Sequence, residues 1–182
     1  MKKLIRRISH FFAGRKIKKD LLNRRVQRET VTFAEAKNIG VLFSAHTDED
    51  IETALTYIAN LKSQGKTVEY IGYIAIKDYK KIHKNEEKDP HYIFDGDFDF
   101  FHRPKKSLIE KFYKTNFDLL ISLNYTNQFS INYIASLSAA RLRVGKFSIN
   151  TINAYDFMID DKGESMQSYI ESLNHYLNIL KK

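Results

Sequence analysis

Short apolar runs alternate along this chain with stretches in which apolar residues recur every three or four positions, an alternation that predicts strands and helices in turn. Ile39-Gly40-Val41-Leu42-Phe43-Ser44 suits a buried strand. Thr47 then stands as the N-cap of a helix over residues 48–63, with Asp50 in the capping-box position. Ile51, Ala54, Leu55, Ile58, Ala59 and Leu61 make its apolar face, and Gly65 supplies the stop. Residues 68–75 form a second strand. The three elements make one strand–helix–strand unit with a right-handed crossover.

The same reading continues to the end of the chain. Residues 77–88 are highly charged and precede Pro90, which predicts a surface loop. Tyr92-Ile93-Phe94 and residues 98–101 read as short strands, and Pro104 fits the first turn of a helix ending near residue 114. Residues 117–123 are a strand, followed by a polar loop over 124–128 and a helix over 130–140. Residues 143–149 give a further strand and 155–159 an edge strand. A closing amphipathic helix over 166–180 turns Tyr169, Ile170, Leu173, Leu177 and Leu180 inward. Such alternation predicts a Rossmann-like α/β fold, a mostly parallel sheet with helices on both faces, as one domain over residues 37–182.

The N-terminus differs from the rest. Leu4, Ile5, Ile8, Phe11 and Phe12 fall at helical spacing, and Ile17, Leu21 and Leu22 continue the stripe past Gly14. Most other positions are basic, so residues 1–30 are expected to form an amphipathic, cationic helical arm. Its charge changes the meaning of the formal +8 of the whole chain. Residues 1–28 hold eleven cations, Lys2, Lys3, Arg6, Arg7, Arg15, Lys16, Lys18, Lys19, Arg24, Arg25 and Arg28, against the one acid Asp20, a net of +10. The remaining 154 residues hold 19 basic and 21 acidic side chains, a net of −2. A nearly neutral domain with a cationic arm points to an anionic polymer or an anionic surface as partner.

Composition narrows the field further. At 182 residues, with 43% hydrophobic positions, the chain suits one domain with a full core. It has no cysteine, which excludes disulfides, a thiolate nucleophile and a zinc–thiolate site. No apolar run is long enough for a transmembrane helix, and the arm has no apolar core of a cleavable signal peptide. A cytoplasmic location is expected, with association to ribosomes or the inner membrane through the arm. No cofactor is expected, and the oligomeric state is left open.

In a doubly wound sheet, ligands bind beyond the carboxyl ends of the strands at a switch point. Those ends here are Ser44-Ala45-His46-Thr47-Asp48 and Asn124-Tyr125-Thr126-Asn127-Gln128. The first lacks a glycine-rich phosphate loop, and Asp48, Glu49 and Asp50 in the following helical turn repel a phosphate there. The second is rich in amides and hydroxyls without charge. Ser44, His46, Asn124, Thr126 and Asn127 are therefore candidates for a pocket taking a neutral polar ligand. Asp95, Asp97 and Asp99 alternate between His91 and His102, and on a strand they would share one face opposite Phe94, Phe98 and Phe100. A calcium loop opening at Asp95 would need Gly where Phe100 stands, so no metal site is assigned. No nucleophile accompanies His46, and no catalytic residue is assigned.

Phe117-Asp118-Leu119-Leu120-Ile121-Ser122-Leu123 and the stretch from Ile134 through Arg143-Val144-Gly145 resemble the N-terminal domain of heptosyltransferase-type glycosyltransferases. In that family an aspartate opens a strand, a helix with small residues follows, and an Arg-hydrophobic-Gly step enters the next strand. The resemblance implies the fold. The family's catalytic aspartate sits in a Gly-Asp turn where this chain has Ser44-Ala45-His46-Thr47-Asp48, and 182 residues are expected to leave no room for the second, nucleotide-sugar-binding domain. Over its full length the chain also resembles an uncharacterised family of small Bacteroidota proteins with a basic N-terminal helix before an α/β domain.

Together these features read as a non-enzymatic binding or accessory protein whose arm engages structured RNA, with ribosomal particles the favoured partner. The alternatives are an arm that only docks on its own domain by its apolar stripe, a peripheral protein on an anionic membrane, and a small glycosyltransferase-like or hydrolytic enzyme with its site at the strand carboxyl ends.

Overall fold

The structure is a computed structural model that describes residues 28–77, 79, 91–151, 153–163 and 165–179. The cationic arm as far as Arg25, the charged loop over most of 77–88, and Leu180 lie outside the described residues.

Six strands and four α-helices are described: β1 Asn38–Ala45, α1 Asp48–Ser63, β2 Thr67–Ile74, β3 Tyr92–Ile93, α2 Lys106–Lys114, β4 Leu119–Leu123, α3 Phe129–Leu137, β5 Leu142–Lys146, β6 Phe157–Ile159 and α4 Met166–Ile179. The strands make one sheet in the order β3-β2-β1-β4-β5-β6, and every pairing is parallel. This is the doubly wound, Rossmann-like order, with its switch point between β1 and β4.

Period-two alternation divides the core between the sheet's two faces. Ile39, Val41, Phe43 and Ala45 of β1, with Leu119, Ile121 and Leu123 of β4, pack under α1 and α4. Leu42 and Leu120 turn to the other face, under α2 and α3. Because helices cover both faces, the central strands are apolar on both, which is why β1 and β4 read as continuous apolar runs. Glycines in three strands seat aromatic rings. A Cβ on Gly72 would lie 2.2 Å from the Phe43 ring, and one on Gly145 would lie 2.5 Å from Tyr155.

Several boundaries differ from the sequence expectation. Residues 98–101 are not a strand; Phe98 makes only an isolated bridge to Pro104. Pro104 therefore precedes α2, which starts two residues later. Residues 95–97 form a 3-10 turn, so Asp95, Asp97 and Asp99 do not share one strand face. Asp97 accepts from the Phe94 N–H at 3.0 Å, and Asp99 pairs with Arg103 at 2.5 Å. Among the described residues no three His, Asp or Glu side chains gather to hold a metal. On α1, Tyr57 rather than Ala59 is buried, and its hydroxyl donates to Asn174 of α4 at 3.3 Å. No helix among the described residues is long and apolar enough to cross a membrane.

Charged groups brace the amino edge of the sheet. Arg143, 6% exposed, forks onto Asp156 at 2.8 and 2.9 Å, and its third nitrogen reaches the Ala135 and Ser136 carbonyls in the last turn of α3. Asp118 accepts from the Lys37 and Asn38 N–H groups and pairs with Arg141 at 3.2 Å. Partial burial pushes the Asp118 carboxyl up, but those donors outweigh it and hold it below its usual 3.8. A carboxyl lowered by folding adds stability that is present above 3.8 and is lost as pH falls through its folded value. Unfolding followed from pH 6 downward should therefore show a loss that flattens in Asp118→Asn; an unchanged acid slope in that variant would contradict the assignment.

Candidate functional site

β1 and β4 diverge at their carboxyl ends into α1 and α3, and the crevice between those turns collects the polar residues expected there. Ser44 and Asn124 are buried at 0% and 1% exposure. Ser44 Oγ lies 2.9 Å from Asn124 Oδ1 and 3.1 Å from Thr126 Oγ1, and Thr126 Oγ1 lies 3.1 Å from His46 Nε2. Four of the five candidate pocket residues thus form one hydrogen-bonded chain. Asn127 follows in the same turn with φ +57°, a left-handed conformation that asparagine tolerates better than most side chains.

The order of protons along that chain is fixed by the backbone. Asn124 Oδ1 accepts from the Gln128 N–H at 2.8 Å while its Nδ2 donates to the Gln128 carbonyl at 3.0 Å, so the amide cannot be reversed. Ser44 must donate to Oδ1, and having one proton it must accept from Thr126. Thr126 in turn must accept from His46 Nε2. A neutral His46 ring therefore carries its proton on Nε2, and that nitrogen is no general base while the network stands. Asn124 Nδ2 also donates to Asn132 Oδ1 at 2.9 Å. Asn132 Oδ1 accepts from the Tyr155 hydroxyl at 2.7 Å as well, and that hydroxyl lies 2.8 Å from Ser122 Oγ. Polar groups thus run unbroken from His46 through the core to Ser122.

The two helices that open here differ. Thr47 and Asp50 close a full capping box on α1, with Asp48 and Glu49 beside them, so its first turn supplies its own negative charge. Asp50 also accepts from the His46 N–H at 2.8 Å and faces the Tyr125 hydroxyl at 3.4 Å. Burial, with Asp50 alongside, pushes that phenol up to about 12, so it stays neutral at physiological pH. In contrast, α3 has no acidic residue in its first turn, and its N-cap Gln128 makes no side-chain capping bond.

Beside the α3 N-terminus is a cavity of about 440 Å³. Gln128, Phe129 and Ser130 line it, with Tyr73 from the end of β2 and Asp95, Phe98 and His102 from the segment after β3. The Tyr73 hydroxyl donates to Asp95 at 2.5 Å, and its ring meets Phe98 edge-on at 5.2 Å. The sequence reading missed Tyr73, Phe98, Phe129 and Ser130. Tyr73 and Ser130 were legible only as a strand position and a helix start, because what joins them is the neighbouring order of β2, β1 and β4.

Of the cationic residues expected to bind an anion, only Arg28 is described. Its guanidinium donates to the Ala140 carbonyl and, at 3.1 Å, to that of Ser138, and it lies 3.8 Å from Asp156. Burial and the neighbouring Arg143 lower its pKa, against the pull of Asp156. Arg28 therefore anchors the chain at the amino edge of the sheet, away from the crevice.

Fold and crevice define an all-parallel, Rossmann-like domain with a polar, partly aromatic site at its switch point. The chain belongs to a family of unknown function (DUF6913), whose profile matches residues 10–180. No curated protein and no solved structure matches it.

The proton order gives a direct check. In the neutral His46 ring, nitrogen-15 shifts should report the Nε2–H tautomer, and Thr126→Val should relax that preference. A majority Nδ1–H form in the unsubstituted protein would contradict it.

Proposed function

We propose that the protein is a binding protein without catalytic activity of its own, whose cationic N-terminal segment engages structured RNA, with ribosomal particles the favoured partner in a bacterial cytoplasm. The observation that carries this reading is the charge partition, +10 over residues 1–28 against −2 over the rest. Eleven cations in so short a segment neutralise on the order of 5–8 phosphates, and the released counterions make binding steeply dependent on salt. No RNA-recognition motif is visible in the sequence, so recognition is by shape and charge. The family match begins at residue 10 and takes in seven of those eleven cations.

One observation supports the non-catalytic part: His46 Nε2 donates to the Thr126 hydroxyl, so it does not take a proton from it while the network stands.

The apolar positions Ile8, Phe11 and Phe12 favour a second reading, in-plane binding to an anionic membrane with Arg6, Arg7 and Arg15 at the headgroups. Lysate fractionation at low and high salt separates the readings. Co-sedimentation with ribosomes at low salt, released by high salt and largely kept in Phe11→Ser/Phe12→Ser, is the expected outcome. Recovery with membranes, abolished by the double substitution, would support the second reading, and a wholly soluble protein at low salt would contradict both.

A further inference from the structure

Among the described residues, three buried side-chain atoms have no hydrogen-bond partner: Asn127 Oδ1, Ser130 Oγ and Tyr169 Oη. Tyr169 lies in the core, but the other two stand three residues apart at the start of α3. Leaving a buried polar group unmatched costs about 1–3 kcal/mol, so two at one helix start call for an explanation. Ser130, only 2% exposed, is also part of the cavity wall. Among the described residues, the two non-glycine positions with left-handed backbone, His102 and Asn127, are respectively in that wall and next to it in the chain.

The electrical arrangement of α3 agrees. Arg143 and Arg28 cover the carbonyls at and just beyond its C-terminus, whereas its first turn carries neither acid nor side-chain cap. The positive end of the helix therefore faces the cavity without an anion of its own. Across the cavity, the Tyr73 hydroxyl donates to Asp95 Oδ1, whose carboxylate has further lone pairs to accept from hydroxyls, and Phe98 and Phe129 supply apolar lining for the C–H side of a sugar.

We propose that this cavity binds a small phosphorylated polyol, with the phosphate at the α3 N-terminus accepting from the Ser130 hydroxyl and the sugar hydroxyls donating to Asp95. About 440 Å³ falls within the range of small-ligand sites and accommodates a pentose phosphate. The site lies at the opposite edge of the sheet from Arg28.

The test uses the full chain and reads backbone amide shifts by NMR, which report residues 128–131 one by one. Probes are ribose, inorganic phosphate, ribose 5-phosphate and adenosine monophosphate. Saturable shifts at Ser130 and Tyr73 with ribose 5-phosphate, stronger than with phosphate or ribose alone, are expected; tighter binding of the nucleotide would place the sugar phosphate within a nucleotide. Ser130→Ala should weaken binding about tenfold, the loss of one hydrogen bond to a charged group. The same variant should melt at an unchanged or higher temperature, because the hydroxyl it removes is unmatched. Asp95→Asn should weaken ribose 5-phosphate and leave inorganic phosphate unaffected. The proposal is overturned if neither phosphate ester moves the Ser130 amide at millimolar concentration, or if the shifts persist unchanged in Ser130→Ala.

Discussion

One buried amide holds the carboxyl edge of the sheet together. Asn124 directly follows β4 at 1% exposure, and all four of its hydrogen-bonding sites are used, two by the Gln128 backbone, one by Ser44 and one by Asn132. It ties the end of β1 to the end of β4 and closes the turn that starts α3. Each bond contributes on the order of 1 kcal/mol net, but its loss would strand buried partners at a larger cost. A fully matched network of this kind fixes one geometry, including the proton on His46, as loosely packed apolar groups would not.

That fixed turn determines what the crevice can do. Asn124 occupies the N–H of Gln128 but leaves the next turn of α3 without a cap, while two arginines cover the carbonyls at the other end. The helix is therefore electrically finished at the amino edge and unfinished at the carboxyl edge. α1, opening a few residues from β1, is finished by Thr47 and Asp50 from its own sequence. Of the two helices beside the switch point, only α3 offers a ligand the unmatched end.

Much of this was legible in the sequence because burial on both faces leaves plain marks. β1 and β4 appear as apolar runs, the Thr47–Asp50 capping box was readable from spacing, and the left-handed Gly65 ends α1 as expected. The Ser44, His46, Asn124 and Thr126 set was recognisable from topology, since strand ends at a switch point must meet. The aspartates between His91 and His102 misled because alternation suggests a strand, whereas Gly96 sits within a 3-10 turn, Asp97 and Asp99 have local partners and Asp95 accepts from Tyr73 of β2. The cavity left no linear signature: Tyr73 and Ser130 are 57 positions apart and meet only because β2 and β4 flank β1.

The central claim is that Asn124 fixes the β4–α3 turn, and amide hydrogen exchange tests it most directly. In the intact protein the Gln128 N–H should exchange only through global unfolding, as the Ile121 amide in β4 does. In Asn124→Ala, Gln128 should open locally while Ile121 still exchanges by global unfolding. Loop-like exchange of Gln128 in the unsubstituted protein, or protection that survives in Asn124→Ala, would contradict the account.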